Sequence, residues 1–316
     1  MNVSKAKRDL DHHVWKLVRE HGLQDKKILV ALSGGTDSVA LLRVLVKIHK
    51  KERLGACYFH HGEDANQEYR KEAQVFCEKL CKKWGVAFYP LKSSQLAKSE
   101  AEYRELRYEA LQRLMKEEAF DYLSTGHHRD DLLETRLMRL IRGTGAQGLQ
   151  AMHVLKDQTF RPFLEVSKKE LKKYLREEKV RIYEDPSNES LDPLRNWVRE
   201  EWLKSLERRS RGSTSALARS LETIALEIES RPWGDLLSQN EAYKTQGISR
   251  GFYLTLSPFE QKRLLAQYLF ALGKRDFSQS HLEEIQKRLD KSQKVITFKV
   301  GGCHWEVNAE QVKVQS

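Results

Sequence analysis

The run ILVALSGGTDSVALLRVLV, residues 28–46, constrains the fold more than any other stretch of the chain. Apolar residues lead into Ser33-Gly34-Gly35-Thr36-Asp37-Ser38, and an apolar run at helical spacing follows. A buried strand, a tight glycine turn and a helix make the first half of a strand–helix–strand unit. The grammar then repeats. ILVAL (28–32), GACYFH (55–60), VAFYPL (86–91) and DYLSTGH (121–127) read as strands. The segments 38–50, 68–84, 100–118 and 130–142 read as the intervening helices. Strands alternating with helices imply an α/β fold, a parallel sheet with right-handed crossovers and helices on both faces. Ligands in such sheets bind at the carboxyl ends of the strands.

With 316 residues the chain is long for one core, and two domains are expected. The basic, Ser- and Gly-containing stretch RRSRGSTS (208–215) is the candidate boundary region, giving domains of 1–212 and 213–316. The second has a different grammar. Ser257-Pro258-Phe259-Glu260 starts one helix, Ser280 with Glu283 starts another, and KVITFKVGGCHWEVNAEQVKVQ reads as three strands joined by short turns. This is a small α+β domain. Ser167 and Glu170 form a capping box for a helix from about Lys168, and Asp185 to Asn188 is turn chemistry.

The glycine loop is built for phosphate. Gly34 and Gly35 let the backbone approach a ligand without a Cβ, and the next helix turns its positive N-terminus to the same place. Ser33, Thr36 and Ser38 add hydroxyls. It is neither a Walker loop, since no lysine ends it, nor G-x-G-x-x-G. A second constellation, STGHHRDDLLETRLMRLIRGTGAQGL (124–149), also begins at a strand end. His127, His128, Asp130, Asp131 and Glu134 gather at a helix start. Residue chemistry alone reads this either as a well-capped helix or as a site for a metal or a cationic amine.

The net charge of +11 suits a polyanionic partner such as nucleic acid. From Arg195 to Arg219 there are seven basic and three acidic residues, with Trp197 and Trp202 among them. Core placement is the expectation for both tryptophans; an exposed ring could stack an unpaired base. No apolar run approaches a membrane span and the N-terminus lacks a leader pattern, so a cytoplasmic protein is expected. The four cysteines imply no disulfide framework, and Cys77 with Cys81 read as packing residues.

SGGTDS resembles the pyrophosphate loop of the PP-loop ATP pyrophosphatases (adenine nucleotide alpha hydrolase-like fold). HHRDDLLET with LMRLIRGTGAQGL resembles the tRNA(Ile)-lysidine synthases, a PP-loop family. HHG (60–62), AEYRELRYEAL (101–111), RPFLEVSKKEL (161–171), EDPSN (184–188) and RNWVR (195–199) extend the match over most of residues 28–200. The resemblance implies ligation of L-lysine to carbon 2 of the wobble cytidine of tRNA(Ile) with a CAU anticodon. ATP is spent to AMP and pyrophosphate through an adenylylated cytidine. It implies Ser33, Gly34, Gly35, Thr36, Asp37 and Ser38 around the triphosphate, with Asp37 also placing Mg²⁺. His127, Asp130 and Asp37 are the catalytic candidates. Arg104, Arg107, His128, Asp131, Glu134 and Arg195 are candidates for binding lysine or RNA. A homodimer is the assembly held open. The rivals are a PP-loop tRNA thiolase, a small-molecule amidating PP-loop ligase and a non-catalytic tRNA-binding module.

Overall fold

The structure is a computed structural model describing residues 9–60, 67–92, 100–144, 146–183, 193–230, 236–237, 247–274, 276–291 and 295–315. The expected turn at 185–188, all of EDPSN (184–188), and His61 and Gly62 of the HHG stretch lie outside them. The chain divides into two compact units, residues 1–135 with 151–218, and residues 136–150 with 219–316.

In the first unit α1 (Leu10–Glu20) precedes β1 (Ile28–Ala31), and α2 (Thr36–Ile48), β2 (Leu54–His60), α3 (Gln67–Trp84), β3 (Ala87–Lys92), α4 (Glu100–Glu117) and β4 (Tyr122–Ser124) follow. α5 (Arg129–Ile141) begins in this unit; β5 (Leu155–Lys156), β6 (Thr159–Phe160) and α6 (Lys168–Glu177) complete the main layers. The strand order is β3-β2-β1-β4-β6-β5. The first five in that order are parallel, as the alternation predicts, and β5 pairs antiparallel at the edge. β1 is covered on both faces. Ile28 and Val30 join a cluster with Val39, Leu42, Leu80 and Leu171, while Leu29 joins Leu111, Leu114 and Phe120. Successive side chains point to opposite faces of a strand, so a doubly covered strand reads as a continuous apolar run.

α1 is an element the sequence reading did not expect. Asp9 caps it by accepting from the N–H groups of Asp11 and His12. Its exposed side is strongly polar, but Leu10, Val14 and Val18 at helical spacing are buried. Across α1, α2 and α6, Lys47 reaches both Asp11 and Glu178, and Arg43 donates twice to Glu178 at 3.0 and 2.9 Å. Ser167 and Glu170 form the expected capping box on α6. The chain then runs through α7 (Pro193–Asn196), a π-helical segment (Trp197–Leu203) and α8 (Lys204–Arg209). The break expected near 208–215 is confined to Ser210–Gly212, and α9 (Ser213–Ser230) follows at once. The Glu207 carboxylate accepts the Gly212 and Thr214 N–H groups there, which explains the compact turn.

The second unit holds β7 (Ile248–Ser249), α10 (Arg250–Thr255), α11 (Pro258–Ala271), α12 (Gln279–Lys291), β8 (Ile296–Val300), β9 (Cys303–Val307) and β10 (Gln311–Gln315). Its antiparallel sheet has the order β7-β10-β9-β8, with Gly301 and Gly302 between β8 and β9. Trp305 is fully buried, stacked on Phe298 and close to Tyr268. The capping box at Ser257 and Glu260 is present, with Pro258 at the first helical position. The cap of α12 differs from expectation. Ser278, not Ser280, receives a backbone N–H, that of His281, and the His281 ring accepts from the Ser278 N–H in return. Histidine thus performs the reciprocal role expected of a glutamate.

Candidate functional site

β1 is flanked by β2 on one side and β4 on the other. The strand order reverses there, the switch point at which such sheets open a crevice beyond their carboxyl ends. The glycine loop leaves β1 and the segment 125–131 leaves β4, so the two constellations become neighbours.

The loop is held by its own hydroxyls. The Ser33 N–H donates to Ser38 Oγ at 3.1 Å, the two hydroxyls lie 3.1 Å apart, and Ser38 Oγ donates to the Gly35 carbonyl at 3.2 Å. Gly34 has φ +89°, in the left-handed region, and its carbonyl accepts from the Tyr183 N–H at 3.0 Å. Gly35 is the N-cap of α2 and brings no side chain to its first-turn N–H groups. Those donors and the helix dipole face the loop, the arrangement that binds phosphate.

Gly126 is a site residue that the sequence reading missed. A Cβ there would lie 2.9 Å from the Asp37 carbonyl carbon and 3.1 Å from the Ser38 nitrogen. Only glycine lets the second loop close on the first turn of α2. The available signal was its position, a glycine immediately after a strand end that a parallel sheet places beside β1.

His128 is 4% exposed and faces three carboxylates. Its Nε2 lies 3.6 Å from Asp37 Oδ2 and 3.5 Å from Asp131 Oδ2, and its Nδ1 lies 4.0 Å from Asp130 Oδ2. The Asp131 N–H points at Nδ1 from 3.4 Å, which assigns the ring proton to Nε2. Burial pushes the Asp37 carboxyl above the usual range; His128 and Lys168 oppose this, and Asp131 and Asp130 reinforce it. Asp37 Oδ1 is buried and has no hydrogen-bond partner among the described residues. An orphaned carboxylate oxygen beside a phosphate-type loop fits Mg²⁺, which binds through one or two carboxylates plus substrate phosphates.

The remaining candidates are placed as follows. His127 Nδ1 lies 2.8 Å from Thr125 Oγ1. Asp130 Oδ2 accepts from the Lys168 N–H at 3.0 Å, so it also holds the start of α6. Glu134 is 3% exposed and accepts two bonds from Arg199, at 2.7 and 2.8 Å. Arg199 also lies 3.6 Å from Asp131; its hydrogen bonds to Glu134 raise its pKa, burial opposes this, and the charges of Glu134, Asp131 and Glu200 add to the rise. Arg195 reaches Thr135 at 3.4 Å and Glu134 at 4.0 Å. Arg107 lies on α4 with its guanidinium 5.9 Å from the Tyr108 ring centroid, and the Arg104 side chain is outside the described residues. Arg199 carried no assigned role in the sequence reading, although RNWVR contains it. Nothing local marks it as the partner of a glutamate 65 positions earlier.

Cys57, Cys77 and Cys81 are buried, as packing cysteines should be. Burial pushes the Cys57 and Cys81 thiols up to about 12 and Cys77 higher still. Among the described residues no helix is long and apolar enough to cross a membrane.

Residues 5–206 match the PP-loop domain family. The chain is 82% identical over 316 residues to a protein of Bdellovibrio bacteriovorus named tRNA(Ile)-lysidine synthase, covering 100% of both. It is 33% identical over 213 residues to a protein of the same name from a Nostoc species, covering 65% of this chain and 61% of that one. The chain thus spans the whole of one relative and about three fifths of the other. Among solved structures, the tRNA U34 thiolase NcsA of Methanococcus maripaludis superposes with a TM-score of 0.56 at 20% identity, over 76% of this chain and 87% of that one. At that identity the shared feature is the fold.

Proposed function

The chain belongs to the tRNA(Ile)-lysidine synthase family of PP-loop enzymes, and we propose that its two apposed loops carry the two halves of that ligase reaction. It is an ATP-using ligase that modifies tRNA(Ile). The observation that supports the division of labour is the meeting of the glycine loop and the His128 cluster at the β1–β4 switch.

In the first half, the carbon-2 carbonyl oxygen of the wobble cytidine attacks the α-phosphate of ATP, and pyrophosphate leaves. The N–H groups and hydroxyls of Ser33 to Ser38 hold the triphosphate and stabilise the charge that develops on it. Mg²⁺, held through Asp37, would supply neutralisation of the phosphate oxygens. In the second half, the ε-amine of L-lysine displaces AMP from carbon 2. Asp131 and Glu134 are the acids that recognise the amines. His127, less buried than His128 and with Nδ1 2.8 Å from the Thr125 hydroxyl, is positioned to take the proton the amine loses. Arg104, Arg107 and Arg195 bind tRNA or phosphate.

The same reading assigns residues 1–212 to catalysis and 213–316 to binding the tRNA body. It places the enzyme in the cytoplasm, where thiols stay reduced. A homodimer remains part of it, checked by sedimentation of the full chain.

The test is transfer of labelled lysine to a tRNA(Ile) transcript with a CAU anticodon, with ATP and Mg²⁺. A wobble C→U transcript and the initiator methionine tRNA serve as controls. Label on the isoleucine transcript alone is the expected result. ATP cleavage to AMP without label would retain the PP-loop chemistry and reject lysine as nucleophile.

A further inference from the structure

Trp197 opens the π-helical segment and is 45% exposed, against the core placement the sequence suggested. Its ring stacks on that of Trp202, with centroids 5.9 Å apart and planes 14° apart. The two residues are five positions apart. In an α-helix, at about 100° per residue, such positions diverge by roughly 140°. The i→i+5 step of a π-helix brings them back over one face. The local helix form therefore makes the stack, and π segments gather at functional sites.

The stack is tied to the acids assigned to the lysine amines. Arg199, between the two tryptophans, binds Glu134 bidentately and lies 3.6 Å from Asp131. On its other flank Arg208, Arg209 and Arg211 are exposed. A half-exposed indole, anchored to the reaction site at one end and followed by surface cations, has the chemistry of a single-stranded nucleic-acid platform. Such platforms stack bases on aromatics and hold the backbone by charge.

We infer that Trp197, backed by Trp202, stacks one unpaired base of the anticodon loop beside the reacting cytidine. This rests on the tRNA reading above. For the wobble base to reach the site its loop must unstack, and a displaced neighbour requires a new π-face. Trp202 holds the Trp197 ring in one orientation, so the platform exists before RNA arrives.

The experiment measures binding of a CAU anticodon stem-loop RNA to the full-length protein, by filter retention and by tryptophan fluorescence, for wild type, Trp197→Ala and Trp197→Phe. ATP affinity is measured alongside. Trp197→Ala should weaken RNA binding about 10-fold or more, the range for one base–aromatic stack, and leave ATP affinity unchanged. Trp197→Phe should retain most of the affinity. A series of stem-loops, each with one abasic position, should contain one RNA on which wild type and Trp197→Ala bind equally. Wild-type RNA affinity in Trp197→Ala overturns the inference. A parallel loss of ATP affinity also overturns it, since the stack would then only support Arg199. Absence of RNA binding by the wild type overturns it together with the tRNA reading, which separates the two failures.

Discussion

Nε2 of His128 stands 3.6 Å from Oδ2 of Asp37, so the loop after β4 meets the loop after β1 through a titratable pair. Asp37 is held there at a cost. Burial raises its pKa above the unfolded value, so the folded protein binds that proton more tightly. Any stability this gives is present below the unfolded pKa, near ~3.9, and is lost as pH rises through the folded value. At neutral pH the ionised carboxylate therefore opposes folding. Asp37→Asn should raise the melting temperature of the ligand-free protein at pH 7, with the gap closing in acid. The same variant should release pyrophosphate from ATP at least about 100-fold more slowly, because the carboxylate that would hold Mg²⁺ against the reacting phosphates is gone. A lower melting temperature would show that the carboxylate stabilises the loop rather than strains it.

Gly126 is the contact by which the two loops close. A Cβ would meet backbone atoms of Asp37 and Ser38, neither of which can rotate away as a side chain could. Gly126→Ala should cost about 1–3 kcal/mol by overpacking. Its larger effect should be on ATP, since the shift falls on the first turn of α2: a raised KM for ATP with near-normal secondary structure by circular dichroism. An unchanged KM would mean the loops separate without consequence for the triphosphate.

Much of this was legible in the sequence, for identifiable reasons. β1 to β4 and their helices follow from period and length, and the capping boxes at Ser167 and Ser257 from four-residue patterns. These are local signals. The glycine loop was legible because its chemistry is contiguous. Arg199 was not, because its partner Glu134 lies on another helix and pairing across that distance leaves no pattern. Trp197 was misplaced because hydrophobicity argues for burial, and only the π-helical turn shows how it stacks on Trp202 while staying half exposed. α1 was overlooked because its buried stripe of three residues is masked by charged neighbours.

Glu178 gives a pH-dependent test of the α1–α2–α6 layer. Hydrogen bonds from Lys47 and Arg43 hold its carboxyl below the ordinary range. A folded pKa below the unfolded one gives stability that is complete above the unfolded value and lost as pH falls through the folded value. Glu178→Gln should therefore destabilise the protein at pH 7 by roughly 1 kcal/mol, the scale of a partly exposed charge network. The gap between variant and wild type should begin to close as pH falls below the ordinary carboxyl range, about 4.3, and vanish only below the lower folded value. Urea titrations across pH measure this, and a difference that persists unchanged in acid would assign the loss to packing rather than charge.

Glu134 and Arg199 separate what the site needs for folding from what it needs for substrate. Glu134 is almost fully buried and Arg199 supplies both of its close hydrogen bonds. Arg199→Met takes both close hydrogen bonds from a buried charge, with Arg195 still 4.0 Å away, and should cost about 3–5 kcal/mol. Glu134→Gln/Arg199→Met removes both charges and should recover much of that loss, giving a clear coupling energy in a double-mutant cycle. Recognition of lysine should not recover with it. The amines need a carboxylate, so the double variant should fold and bind ATP yet show a raised KM for lysine. If the double variant regains the wild-type lysine KM, Glu134 serves only to anchor the π-helical segment to α5, and Asp131 carries the amine alone.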